Sequence, residues 1–353
     1  MKTVIMLCLG LWTSSLSAQT PLLVGTYTDK NASQGIYVYD FNEDSGEAML
    51  LSTTMTDNPS FLAKSKDNAY VYAVNELGAE EASLEAFAFN GESLSLINKL
   101  PTLGAAPCHV ALSKKDPIAV VANYGGGSLA LFRLAEDGSL ADRLALIQYT
   151  GTGPDKNRQE APHAHSAFFS PDFKRLYVQD LGTDKIYIYD VVKNKDSYAL
   201  VEKSVVQTPA GGGPRHIVLD KKEKTMYVLL EMQGKIAVYS KEKNNWTLKG
   251  EMSINADDFT GANGAAEIKL SKDGKFLYAS NRGDANSIAL FQVAKDGALQ
   301  KTAVYDVLGK NPRNFNFSPN GKFLLVGNQS SNEIVVFTVD QTLGTLSDSG
   351  KRI

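Results

Sequence analysis

The residues of this chain able to do chemistry are few and regularly placed. Its four histidines fall close behind prolines: His109 in PCHV, His163 and His165 in PHAH, His216 in PRHI. Arg215 and Arg313 directly follow Pro214 and Pro312. Asn123, Asp180, Glu231 and Asn281 each end an apolar run, and Arg282 stands next to Asn281. Histidine carries protons near neutral pH. Arginine stabilises a developing oxyanion, or clamps a phosphate or carboxylate with paired N–H groups. A carboxylate of raised pKa, like histidine, serves as a general base. His163-Ala164-His165 puts two imidazoles on one face of a strand. The sequence offers no obvious third ligand, so neither a metal nor another cofactor is expected. The chain has no G-x-S-x-G elbow, P-loop, H-E-x-x-H or G-x-G-x-x-G. The glycine runs at 125–127 and 211–213 lack the flanks of a nucleotide loop and read as tight turns.

These residues need a scaffold, and the chain supplies one by repetition. Pro312–Asn328, PRNFNFSPNGKFLLVGN, alternates apolar and polar residues, turns at Asn320-Gly321, then runs apolar and stops. That is the pattern of a β-hairpin. A third strand, EIVVFTV, follows from Glu333. Aligned on the polar residue that ends the second strand, the copies fall at Asn328, Asn281, Glu231, Asp180, Asn123, Asn75 and a degenerate Gly25, 47 to 57 residues apart. Propeller blades have this period. Third strands recur from Gly35, Ser83, Ser128, Lys185, Lys235 and Ser287, and weaker fourth strands fill the rest, as at Trp246–Glu251. The expected fold is all-β: one seven-bladed β-propeller domain of four-stranded antiparallel blades over residues 19–353. Pro59, Pro107, Pro162, Pro214 and Pro312 introduce innermost strands, with Ala265-Ala266 in the sixth blade. Only six such strands are found, because the chain enters blade one at its second strand. A three-stranded first blade is therefore expected, its Leu22–Thr26 edge open toward the channel. Two insertions, Tyr149–Ala161 and Asn255–Gly264, read as surface loops.

In an antiparallel hairpin the start of one strand lies beside the end of the next. The histidines should therefore share a rim with Asn123, Asp180 and Glu231. Arg215 should meet Glu231 within one blade, Arg282 should join from the next, and Arg313 holds the Arg215 slot in blade seven. Innermost strands line the channel, so this rim becomes a polar, partly cationic funnel at its mouth.

The formal net charge is −3 without a basic run, so nucleic acid is not an expected partner. Met1–Ala18 carries one Lys, an apolar run from Val4 to Trp12 and a small-residue end, Ser-Leu-Ser-Ala. A signal peptide cleaved after Ala18 is expected, its apolar run too short to span a bilayer. The protein is then periplasmic or secreted, with no membrane span after removal, and is expected to be a monomer. Of its two cysteines, Cys8 leaves with the signal. Cys108 remains alone, without an intramolecular disulfide, and reads as a small buried residue.

The chain resembles the seven-bladed propeller lactonases of the bacterial 6-phosphogluconolactonase type. The resemblance rests on GTYT at Gly25, AAPCHV at Ala105, VANYGGGS at Val121, APHAHS at Ala161, DLGTDKI at Asp180, GGPRHI at Gly212, SNRG at Ser280 and GNQSSNEIVVF at Gly327. These run in order over nearly the whole mature length. It implies hydrolysis of an aldonolactone to its acid. A related branch forms a lactone from a muconate, using a His, two Arg and a Glu at the channel mouth. Carried over by motif, those fall on His163 or His165, Arg215, Glu231 and Arg282, the expected catalytic residues. His109, Asn123, Asp180, His216, Asn281 and Arg313 are the expected substrate-binding residues. The fifth repeat, LLEMQGKI, keeps the Glu but not the Asn that usually precedes it. The resemblance also implies a C-terminal segment as innermost strand of blade one, and Lys351-Arg352-Ile353 stands where that segment would begin. A phosphorylated pentose-pathway lactone is cytosolic, at odds with a signal peptide. The expected function is therefore that of an extracytoplasmic sugar-lactone hydrolase. The alternatives are a non-catalytic propeller binding a ligand or protein at the same mouth, and a lactone-forming cycloisomerase.

Overall fold

The computed structural model describes residues 19–353 apart from 30, 31, 196 and 244. The expected signal peptide, residues 1–18, lies outside the described residues. Seven antiparallel sheets follow one another, each a meander of sequence neighbours. Six have four strands, and the first has three: Gln19–Val24, Gly35–Asn42 and Ala48–Met55. Its opening strand starts three residues before the expected Leu22 and ends at Val24. No strand pairs with it on the channel side among the described residues. Pro21 inside it suits an edge, where a missing N–H breaks no ladder. Leu346–Arg352 pairs with Glu333–Val339 as the fourth strand of blade seven.

The core lies between blades. Tyr72, Val74 and Leu84 of blade two pack on Val110, Val121 and Phe132 of blade three, and the other interfaces follow suit. Tyrosines staple neighbours together: Tyr72, Tyr227 and Tyr278 donate to the Gly138, Gly297 and Gly344 carbonyls at 2.8, 2.9 and 2.6 Å. Each of those glycines holds a positive φ, between 74° and 88°, which L side chains avoid. Blades seven and one close the ring through Phe41 and Phe323, edge to face at 5.8 Å. Leu22, Leu325, Val336 and Ile353 join them.

Strand pairing corrects one alignment. Asn123, Asp180, Asn281 and Asn328 pair with Pro107, Ala164, Ala265 and Pro312. The partner of Pro214 is Leu230, not Glu231. Glu231 stands one step later, in the slot held elsewhere by Glu76, Tyr124, Leu181 and Arg282. An apolar Leu230 in the usual polar slot hid this. Beside each of those pairs the innermost strand slips register, passing over Cys108, His165, Arg215, Ala266-Glu267 and Arg313. Such bulges re-aim side chains. Here they ring the mouth of the channel.

Candidate active site

The Glu231 carboxylate is buried, 5% exposed, and faces three guanidinium groups. Arg158 Nη2 donates to Oε1 at 2.7 Å. Oε2 lies 3.0 Å from Arg215 Nε and 3.1 Å from Arg282 Nη2. The Arg215 N–H is not aimed along its contact, which is an ion pair rather than a directed hydrogen bond. Burial pushes the Glu231 carboxyl up, but Arg282, Arg215 and Arg158 outweigh it and hold it at about 2. Burial, with Arg282 and Arg313 near, lowers the Arg215 guanidinium to about 10, still charged at neutral pH. Three cations share one carboxylate, so the hollow keeps surplus positive charge.

His165 Nε2 stands 3.9 Å from Glu231 Oε2, too far for a direct hydrogen bond. The Cys108 thiol donates to the His165 carbonyl at 3.1 Å, and burial pushes that thiol up, so Cys108 is a packed thiol and not a thiolate. Burial, then the Arg215 charge, carries His165 well below 6.5; it is neutral with a lone pair to offer. His163 stacks on Tyr124, ring centres 4.6 Å apart. Its ring nitrogens face the Tyr124 carbonyl at 3.0 Å and Glu160 Oε1 at 3.2 Å. Both ring nitrogens are therefore engaged by neighbours instead of facing the hollow.

His216 and His109 sit one residue further along their strands than the bulges. His216 Nδ1 donates to Glu267 Oε1 at 3.1 Å and its Nε2 faces Arg215 Nη1 at 3.4 Å. Arg215 Nη1 also donates to the Ala266 carbonyl. His216 thus braces Arg215. His109 Nδ1 accepts from the Ala167 N–H at 3.4 Å, and its ring lies on Phe61 at 4.2 Å. Burial lowers both, His216 to about 4. Asn123, Asp180 and Asn281 are fully buried and committed to the scaffold. Asn123 donates to Ser128 Oγ at 3.0 Å. Asp180 accepts from the His163 N–H at 2.7 Å and Thr183 Oγ1 at 2.6 Å. Asn281 accepts from the Gly264 N–H at 2.9 Å and donates to Asn255 at 2.6 Å. They position the rim instead of facing the hollow.

The insertion before blade four supplies a residue that nothing in the sequence singled out. Gln159, wholly buried, donates to the Leu181 carbonyl and to Asp184 Oδ1, both at 2.8 Å. That pins the loop to blade four and holds Arg158 over the hollow, where it also donates to the Tyr124 hydroxyl at 3.3 Å. A second group borders the same hollow. Glu76 Oε2 accepts from the Tyr27 hydroxyl at 2.6 Å and from Ser60 Oγ. Arg313 lies over the Tyr27 ring, Cζ 5.2 Å from its centre, with Nη2 3.9 Å from Glu76 Oε2. The Arg313 charge reaches Arg215, Arg282 and His165. Glu76 and Tyr124 follow Asn75 and Asn123 as Arg282 follows Asn281, a signal that an alignment moved by one residue would have caught. Among the described residues no three His, Cys, Asp or Glu side chains converge as a metal-ligand set.

Residues 21–353 match the family described as "Lactonase, 7-bladed beta-propeller". The chain belongs to the seven-bladed β-propeller lactonase family. One lactonase relative, the 6-phosphogluconolactonase of Formosa agariphila, is 37% identical over 337 residues, 92% of this chain and 94% of that one. Another, the 6-phosphogluconolactonase of Bacillus subtilis, is 33% identical over 92% of both. The periplasmic gluconolactonase of Pseudomonas aeruginosa has the same fold, with a TM-score of 0.90 at 32% identity over 95% of this chain and 96% of that one. The Glu231 hub thus sits at the channel mouth of a lactonase propeller.

Proposed function

We propose that this lactonase hydrolyses a sugar lactone to its aldonic acid at the channel mouth, outside the cytoplasm. The observation that carries this is a neutral, buried His165 beside a carboxylate bound by three arginines. Glu231, held at about 2, is too weak a base to take a proton from water. His165 Nε2 takes that proton as the water oxygen bonds to the lactone carbonyl carbon. The carbonyl oxygen becomes an oxyanion beside Arg215 and Arg282, which Glu231 has already oriented. Collapse breaks the ring C–O bond, and the imidazolium returns its proton to the leaving alkoxide. Glu231, 3.9 Å away, favours the imidazolium in between. Hydrolysis of a lactone also agrees with the names of the relatives. The pattern of residues 1–18 and the periplasmic Pseudomonas relative support export.

A pH-stat assay with gluconolactone, its 6-phosphate and other aldonolactones tests the activity. Acceleration over spontaneous hydrolysis is expected for at least one. Acceleration of none would leave a ligand-binding propeller as the better reading. Export is tested by the mass of the mature protein, expected to begin at Gln19.

A further inference from the structure

Three of the four guanidinium groups at the mouth are engaged by Glu231, and Arg313 is not. Among the described residues the Arg313 side chain makes no hydrogen bond. Its acidic neighbour, Glu76 Oε2, is 3.9 Å away and already accepts from Tyr27 and Ser60. The Arg313 side chain is 23% exposed, aimed by the bulge between Pro312 and Asn314. Its place over the Tyr27 ring leaves its N–H groups without a hydrogen-bond acceptor among the described residues and open to a planar or tetrahedral oxyanion. A cation largely withdrawn from water, with no acceptor bonded to it, gains most from an anionic ligand. Glu76 Oε1 likewise accepts no hydrogen bond among the described residues, which leaves an acceptor for a hydroxyl.

We propose that Tyr27, Ser60, Glu76 and Arg313 form a subsite for the part of the substrate remote from the lactone. Arg313 binds an anionic oxygen group there, a phosphate ester or a carboxylate, and Glu76 Oε1 accepts a sugar hydroxyl. This rests on the lactonase reading above and deepens it. Arg313 becomes the residue that favours charged lactones over neutral ones.

The test compares kcat/KM for gluconolactone, its 6-phosphate and glucarolactone in the wild type, Arg313→Ala and Arg313→Lys. The wild type should prefer a charged lactone. In Arg313→Ala the charged-to-neutral ratio should fall ~30-fold or more, the scale of one lost charged hydrogen-bond pair, and Arg313→Lys should restore part of it. A ratio equal to that of the wild type overturns the proposal, whatever the absolute rate. The lactone that loses most tells phosphate from carboxylate. Arg313→Gln replaces the Ala variant should that one not fold. If the wild type hydrolyses none, the lactonase reading fails, and calorimetry with 6-phosphogluconate, glucarate and gluconate still tests the subsite. There, Arg313→Ala should weaken the acid with the extra distal charge by a similar factor relative to gluconate. Equal weakening of all three, or no binding to the wild type, overturns it.

Discussion

A carboxylate shared by three arginines is costly to bury and costly to lose. Glu231→Gln removes the charge and points amide N–H groups at guanidinium N–H groups. Arg215, 2% exposed, is then a buried cation without its counter-charge, and stability should fall by about 3–5 kcal/mol. A melting curve that matches the wild type would mean the hub carries little of the fold. Arg215→Ala should cost about 3 kcal/mol of transition-state stabilisation, read as kcat/KM; wild-type rates would remove Arg215 from the reaction. The histidines set the pH response. His165 works as the neutral base, so kcat/KM should stay level through 6.5 and fall only well below it. A half-fall at 6.5 or above would argue against His165. Stability runs the same way. His109, His165 and His216 have folded values below 6.5, so the unfolded chain takes protons first as pH drops. Their contribution is whole above about 6.5 and is lost as pH falls toward the folded values. His216 alone, carried from 6.5 to about 4, contributes on the order of 3 kcal/mol. Glu231 and Glu267, both held at about 2 against 4.5, add a further loss between about 4.5 and 2. Denaturant midpoints across pH 4 to 8 should show this decline, and a flat profile would contradict it.

At the scale of the element, bulges and loops matter more than strands. A regular innermost strand would alternate its side chains between two faces. The slip beside Pro107, Ala164, Pro214 and Pro312 instead turns Cys108, His165, Arg215 and Arg313 to the mouth. The loop before blade four depends on Gln159, whose amide is bonded on both sides. Gln159→Ala should free Arg158 from Glu231 and Tyr124. Activity should fall by about tenfold, the order of one charged hydrogen bond, while the melting temperature changes little beyond a local loss. Activity equal to the wild type would show that Arg158 does not need its anchor.

The whole molecule is a ring closed between blades of unequal size. Phe41 and Phe323 carry that closure, and Phe323→Ala should cost about 3–5 kcal/mol. A loss under 1 kcal/mol would place the closing energy elsewhere. The strand Gln19–Val24 pairs on one side only among the described residues. Its channel-side amides should exchange with solvent faster than those of Tyr70–Asn75, which pairs on both sides. Equal protection would mean another segment covers that edge.

The period of about fifty residues, the hairpin turns and the proline-led strands belong to local sequence. Strand identity is set by alternation and turn chemistry, which act over a few residues. The same locality made the short first blade legible by counting, and placed Arg215, Glu231 and Arg282 on one rim, where they meet at 3.0 and 3.1 Å. What the local pattern could not carry was register. Leu230 in a polar slot shifted Glu231 by one position, and a slip of one residue exchanges the faces of a strand. The bulges, too, exist only in the pairing of two strands. Arg158 reaches Glu231 across 73 residues of chain, and Arg313 meets Glu76 and Tyr27 only because the ring closes. The tertiary structure alone brought Arg158 to Glu231 and set Arg313 beside Glu76 and Tyr27 instead, because charges interact through space and not along the chain.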